Sequence, residues 1–350
     1  MNEIGPIRPR AMTGVPEHLM YSSQMDLQYI LYDDIQPFGD CYCEVGNGSQ
    51  RIDLVWQQKC DGTRQVIGLE IKDHINTLAQ VKQQLEEYKD WKLSEFVEGT
   101  PVTESGEVAG QETLFFDDIW LVTIGNESLT KYDWTSGQLH YNRSRETLEY
   151  NITEKSQASG NRSKGECLIR NSPSGIAVDF DLGEFTAEHH LTAQIARYYR
   201  KRGNWISAEV PTTTPRNRQI VDGTVKRPRS RSQIDLIVVD HEALPITIDT
   251  QIHGIEVKRQ FNSQIRNRLH NQLTTYLDSG IYSHVWLAVP YEYAAKAYEF
   301  CEENGFEAGV LALRGNGGVD QKRSPERQSF ERVPVIKKKR GEYKTYFWEP

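Results

Sequence analysis

The sequence predicts an α/β protein of two domains, each a mixed central sheet flanked by helices. Three observations lead there. The chain has 350 residues, and at roughly 100–200 residues per domain that length suits two. The stretch Gly68-Leu69-Glu70-Ile71-Lys72 returns as Gly254-Ile255-Glu256-Val257-Lys258, with its surroundings repeated in the same order. Around each copy the periodicity runs helix, strand, Asp-bearing strand, Glu-X-Lys strand, helix, strand, which is the layering of a mixed sheet covered by helices.

The repetition is the strongest of the three. In an extended strand alternate side chains point to opposite faces. Leu69 and Ile71 therefore face the core while Glu70 and Lys72 project together, as do Glu256 and Lys258 in the second copy. Upstream, Ser49-Gln50-Arg51-Ile52-Asp53-Leu54-Val55 matches Ser232-Gln233-Ile234-Asp235-Leu236-Ile237-Val238. Sixteen residues separate Asp53 from Glu70, and 20 separate Asp235 from Glu256. Downstream, Gln84-Leu85-Glu86-Glu87-Tyr88 matches Gln272-Leu273-Thr274-Thr275-Tyr276, and an apolar strand around Trp120 or Trp286 follows. Cys43-Glu44-Val45 mirrors Ala208-Glu209-Val210, and Glu17-His18 mirrors Glu188-His189. A tandem duplication accounts for all of these.

Taken in order, residues 1–16 hold three prolines and no periodicity, and read as an N-terminal arm. The first domain spans 17–155. It opens with a helix to Ile35, where Leu27, Ile30, Leu31 and Ile35 keep helical spacing and Pro37 and Gly39 end it. Strands follow at Cys41–Val45 and Arg51–Trp56, joined by the turn signal Gly46-Asn47-Gly48. After the Glu70 strand, residues 75–92 form a helix with Leu78, Val81, Leu85 and Tyr88 on one stripe. Residues 93–116 read as an inserted loop, and beyond Trp120 this copy looks truncated, with weak strand signals around Gln138 to Tyr141. The Ser-, Gly- and Asn-rich stretch 156–180 reads as a linker.

The second domain spans 181–350. Leu191, Ile195, Tyr198 and Tyr199 keep the 3.6 period up to Gly203, and a polar, Arg-rich insertion (211–231) precedes the Asp235 strand. Then come the Gln272/Tyr276 helix, the Trp286 strand, a helix over 294–304 and a strand over 309–313. A basic tail containing Tyr343, Tyr346, Phe347 and Trp348 completes it, either as an ordered last strand or as a tail that touches nucleic acid.

Composition narrows the function classes. With 37% hydrophobic and 10% aromatic residues the chain builds ordinary cores. No apolar run approaches the roughly 20 residues of a membrane helix, and the first residues lack a charged-then-apolar leader pattern. A soluble, cytoplasmic protein with no membrane partner is expected. The five cysteines form neither a disulfide framework nor a zinc-ligand spacing. Net charge is −8, divided as −12 over residues 1–180 and +4 over 181–350. The basic excess includes Arg216, Arg218, Lys226, Arg227, Arg229 and Arg231, and the run Lys337-Lys338-Lys339-Arg340. A polyanion would be gripped there.

An Asp and a Glu on adjacent strands make a hard-oxygen site that suits magnesium, which binds through one or two carboxylates plus water and phosphate oxygens. A Lys two residues from the Glu shares that face and can orient or deprotonate a water. The trio describes metal-assisted hydrolysis of a phosphodiester. Glu44 and Glu209 read either as supports for these acids or as strand-edge charges. His18 and His189 read as capping or packing residues.

Asp53 with Glu70-Ile71-Lys72, and Asp235 with Glu256-Val257-Lys258, resemble the PD-(D/E)xK nuclease superfamily. Gln84/Tyr88 and Gln272/Tyr276 resemble the Gln-X-X-X-Tyr motif of its RecB-like branch. Ile52 and Ile234 stand where a proline is often written. The resemblance covers roughly residues 17–125 and 186–313. It implies two restriction-endonuclease-like domains, with metal on Asp53, Glu70, Asp235 and Glu256 and with Lys72 and Lys258 handling water. It further implies that Gln84, Tyr88, Gln272 and Tyr276 line the sites, and that Glu17 and Glu188 match an acid carried on the first helix. The implied activity is a Mg²⁺-dependent deoxyribonuclease, with Mn²⁺ substituting, acting in DNA repair, restriction or mobile-element defence. DNA is the expected partner, together with a separate helicase or repair protein, since no Walker-type Gly-X-X-X-X-Gly-Lys occurs. Two other readings stand beside it. One is a non-catalytic or half-catalytic DNA-binding subunit; the other is a ribonuclease or nucleotide-processing enzyme with the same chemistry.

Overall fold

The computed structural model describes residues 24–36, 39–47, 50–60, 63–72, 75, 77–91, 116–125, 127–135, 137–142, 147–152, 188–212, 219–221, 224–226, 232–239, 249–315 and 317–328. The arm 1–16, the stretch 156–180 and almost all of the 93–116 insertion lie outside the described residues. By internal contacts the chain divides into two compact units, one with Leu27–Ala193 as its main body and the other with Gln194–Pro350, which also takes the first described residues, 24–26. The division falls inside a helix, whose residues up to Ala193 count with the first unit and from Gln194 with the second.

The first unit is built on α1 (Gln24–Ile35), β1 (Asp40–Asn47), β2 (Gln50–Cys60), β3 (Thr63–Lys72), α2 (Leu78–Lys89), β4 (Asp118–Gly125), β5 (Gly137–Asn142) and β6 (Thr147–Ile152). Its six strands lie in sequence order. β1, β2 and β3 form an antiparallel meander, β3, β4 and β5 run parallel, and β6 closes antiparallel. Ile52, Leu54, Val55 and Trp56 of β2 are all buried, as central strands covered on both faces must be. In α2, Val81, Leu85 and Tyr88 face the core, while Leu78, expected on the same stripe, is exposed in the first turn.

The second unit repeats the plan with α3 (Glu188–Arg200), β7 (Trp205–Thr212), β10 (Ser232–Val239), β11 (Ile252–Val257), α4 (Ser263–Leu277), β12 (His284–Pro290), α5 (Ala294–Glu303), β13 (Gly309–Leu313) and β14 (Val319–Arg323). A short antiparallel hairpin, β8 (Gln219–Val221) with β9 (Thr224–Lys226), stands within the Arg-rich insertion. The sheet order is β14-β13-β12-β11-β10-β7, with the same sequence of antiparallel and parallel pairings as in the first unit. Asn262 caps α4 by accepting from Ile265 N at 3.0 Å, and Leu269, Leu273 and Tyr276 bury its inner stripe.

The duplication extends to packing detail. A Cβ added at Gly68 would run into Ile52 Cδ1, and one at Gly254 would lie 2.6 Å from Ile234 Cδ1. Those isoleucines immediately precede Asp53 and Asp235, so each packs over the glycine two residues before the glutamate. Likewise Trp120 lies over Gly137 and Trp286 over Gly309, cross-strand neighbours in both sheets.

The first copy is not truncated, contrary to the sequence reading: β5 and β6 complete its sheet. What differs is the β4–β5 connection, whose described residues contain no counterpart of α5. Its backbone is satisfied by side chains instead. Gln138 accepts from Tyr132 N at 2.9 Å and donates to Thr130 O, and Glu149 accepts from Leu129 N at 2.7 Å. β14 was not legible either, because Val-Asp-Gln-Lys-Arg has a single apolar residue. No helix among the described residues is long and apolar enough to cross a membrane.

Candidate active sites

The register of the meander decides where the acids stand. In the first unit Leu54 pairs with Leu69, so the next step along the ladder sets Asp53 opposite Glu70. In the second, Leu236 pairs with Ile255 and the next step sets Asp235 opposite Glu256. Adjacent strands lie about 4.8 Å apart, so each sheet brings an aspartate and a glutamate to one spot. Each aspartate is pinned in the same way: Asp53 Oδ2 accepts from Ile71 N at 2.5 Å, and Asp235 Oδ2 from Val257 N at 2.7 Å. The donor in both is the residue after the glutamate.

The lysines complete the trios. Lys72 Nζ is hydrogen-bonded to Glu70 Oε1. Lys258 Nζ lies 2.7 Å from Glu256 Oε1 and 3.8 Å from Asp235 Oδ2, and donates to Val257 O at 2.6 Å. The tyrosines of α2 and α4 dock at matching points. Tyr88 Oη donates to Arg51 O at 2.7 Å, and Tyr276 Oη shares its proton between Gln233 O at 2.9 Å and Glu256, each carbonyl being two residues before the aspartate. Placing Gln-X-X-X-Tyr on a helix whose inner stripe meets the sheet is thus what fixes the helix over the acids.

The sites differ in how the glutamate is held. Glu256 is saturated: Gln272 Nε2 donates to Oε1 at 2.6 Å and Tyr276 Oη lies 2.8 Å from Oε2. In the first unit Gln84 Nε2 turns to Tyr88 Oη at 2.5 Å. Glu70 Oε2 is buried with no hydrogen-bond partner at bonding geometry, although Tyr88 stands near enough to act on its charge. The carboxylic acid of Glu70 is pushed up by burial against the opposing pull of Lys72. Asp53 is raised well above its ordinary value by burial first, then by the charges of Glu70 and Glu44. Burial also raises Tyr88 and Tyr276, aided by the glutamate beside each, so both remain neutral phenols.

The chemistry of these residues suits a small divalent cation. The donors are all hard oxygens, the like-charged pair Asp53/Glu70 is buried, and Glu70 Oε2 lacks a donor. Each feature fits a small divalent cation. Among the described residues no group of three or more His, Cys, Asp or Glu side chains is placed to hold a metal ion, so a cation here would have two carboxylates and water as its ligands.

Of the remaining candidates, Glu188 heads α3 but belongs by contact to the first unit, whereas Asp235, Glu256 and Lys258 lie in the second. Its neighbours have structural work: His189 Nδ1 lies 3.0 Å from Tyr29 Oη, and His190 Nδ1 accepts from Cys43 N at 3.2 Å. Glu17, Arg216, Arg218, Arg227, Arg229, Arg231 and Lys337, Lys338, Lys339 and Arg340 lie outside the described residues, as does the side chain of Lys226. Gln28 went unnoticed in the sequence; its amide donates to Asp53 O at 2.9 Å and to Glu44 Oε1 at 3.2 Å. Only its place on the buried face of α1 could have signalled it. Compared with known proteins, the chain matches no family model and no curated sequence, so the case for its chemistry rests on these two trios of side chains.

Proposed function

We propose that the chain is a metal-dependent deoxyribonuclease with two PD-(D/E)xK-like sites on restriction-endonuclease-like sheets. One observation carries the reading: Asp opposite Glu, with Lys bonded to that Glu, recurs at the same register of two mixed sheets, each under a docked Gln-X-X-X-Tyr helix. A purely structural surface has no reason to set an aspartate beside a buried glutamate twice.

Asp53 and Glu70 would hold the ion in the first site, Asp235 and Glu256 in the second. When bound, magnesium supplies positive charge for the oxygens of the scissile phosphodiester. The protein's part is positional and protonic. Ile71 N–H and Val257 N–H fix the aspartates. Lys72 Nζ and Lys258 Nζ, each on its glutamate, hold or move the proton of the attacking water. Tyr88 and Tyr276 keep their helices over the acids and shield that face from bulk water. DNA is the substrate class, gripped by the basic segments of the second half, and a separate helicase or repair protein would supply any strand separation.

A half-catalytic subunit is the second reading, and the saturated Glu256 favours it. Nicking of supercoiled plasmid and cutting of flapped duplexes in Mg²⁺ or Mn²⁺ distinguishes the two. The Lys72→Ala/Lys258→Ala double variant should lose on the order of 10²–10⁴ in rate. Equal losses in the single variants support two working sites, and total loss in Lys72→Ala alone supports one. Cleavage by the double variant at the wild-type rate removes the mechanism. Tight, magnesium-independent binding without turnover leaves a DNA-binding protein.

A further inference from the structure

Glu44 and Glu209 are the two non-glycine residues with a left-handed backbone among the described residues, at φ 56° and φ 48°. An L-residue with a side chain as long as glutamate adopts that region at a cost, and such positions persist where surrounding structure enforces them. They are equivalent. Cys43 pairs with Leu54 and Val45 with Ile52, so the step between sets Glu44 opposite Asp53. Ala208 pairs with Leu236 and Val210 with Ile234, setting Glu209 opposite Asp235. Each sheet therefore carries a row of three acids on three adjacent strands, Glu44–Asp53–Glu70 and Glu209–Asp235–Glu256.

The kink is built into both units. At Glu44 the ladder is broken, and Asp53 O accepts instead from Gln28 Nε2, which also donates to the Glu44 carboxylate. The N–H just before each kink is taken by a buried or nearly buried helix side chain. Cys43 N donates to His190 Nδ1 at 3.2 Å in the first unit, and Ala208 N to Asp26 Oδ1 at 2.7 Å in the second. Like charges directly opposite on a sheet are destabilising, so a strained third acid retained in both copies calls for a compensating positive charge.

We infer that Glu44 and Glu209 are positioning residues for the cation of the two sites, a deepening that rests on the function proposed above. With two carboxylates available as ligands, a small divalent ion keeps several waters. The third acid accepts hydrogen bonds from those waters and, through Gln28 in the first unit, ties its own carboxylate to the backbone of the liganding aspartate. Outer partners of this kind typically change metal affinity by about 10–100-fold.

The test uses the full chain and Mn²⁺ alone, titrated calorimetrically, alongside thermal unfolding in chelator. Glu44→Gln and Glu209→Gln keep size and an acceptor oxygen but remove the charge. Affinity at the corresponding site should fall about tenfold, while the metal-free melting temperature holds or rises. Glu44→Gly and Glu209→Gly relieve the left-handed backbone and should weaken Mn²⁺ equally while melting higher. Unchanged affinity in all four variants overturns the inference, since a merely structural kink predicts that result. If wild type binds Mn²⁺ and Asp53→Asn abolishes binding at the first site, the parent reading survives such a failure. If wild type binds none, both fall together.

Discussion

The two sites share a backbone and differ at one carboxylate. Glu256 receives three side-chain contacts, from Lys258, Gln272 and Tyr276. Glu70 receives Lys72, while Gln84 has turned to Tyr88 and Oε2 stays unbonded. A buried carboxylate that is fully hydrogen-bonded sits in a stable pocket and must exchange partners to bind anything else. One with an orphan oxygen keeps a lone pair for a further donor or, on the proposed reading, for a cation. The comparison teaches that one duplicated framework can hold a latched site and a receptive site, with glutamine orientation as the difference.

The largest effect expected of this contrast is at the lysines. Lys258 is buried beside a buried glutamate, so Lys258→Met should cost about 3 kcal/mol in urea unfolding. Lys72 is partly exposed, and Lys72→Met should cost about 1 kcal/mol. Equal costs would mean that the difference in burial has no energetic weight. The tyrosines come next. Tyr276→Phe removes a hydroxyl whose proton is shared between the Gln233 carbonyl and the Glu256 carboxylate and should cost about 2 kcal/mol, against about 1 kcal/mol for Tyr88→Phe, whose proton goes to the Arg51 carbonyl. The reverse order would show that Tyr88 serves Glu70 more strongly than its geometry indicates.

The smallest effect is on pH. Burial and mutual repulsion raise Asp53 and Glu70 in the folded state above their unfolded values. Their stabilising contribution is complete below the unfolded carboxyl range and is lost as pH rises through the raised folded values. Without metal, melting temperature should rise by a few degrees between about pH 7.5 and about pH 5. Asp53→Asn should flatten that dependence, and saturating Mn²⁺ should abolish it by keeping the acids ionised. A wild-type slope retained in Asp53→Asn places the titration elsewhere.

Much of this was readable in advance because it depends on local periodicity. The strand bearing Glu70 and Lys72, the helix bearing Gln84 and Tyr88, and their copies follow from alternation at periods of 2 and 3.6, reinforced by duplication. β14 and the β4–β5 connection were not readable, the first because its strand is almost entirely polar, the second because Gln138 and Glu149 replace helical hydrogen bonds with long-range ones. Glu44 was visible as a repeated acid but not as a strained one, since nothing in Cys-Glu-Val announces a positive φ.

The amino-acid order alone determined the two-fold repetition, the α/β layering and the identity of the Asp, Glu and Lys residues, because each is encoded within a few neighbours. Only the tertiary structure decided that three acids stand in a row across three strands, that Gln28 replaces a lost ladder bond at Asp53, and that Gln84 and Gln272 point to different partners. Those outcomes depend on strand register and on which buried polar atom finds a donor first, and both are settled by segments that meet only when the sheets assemble.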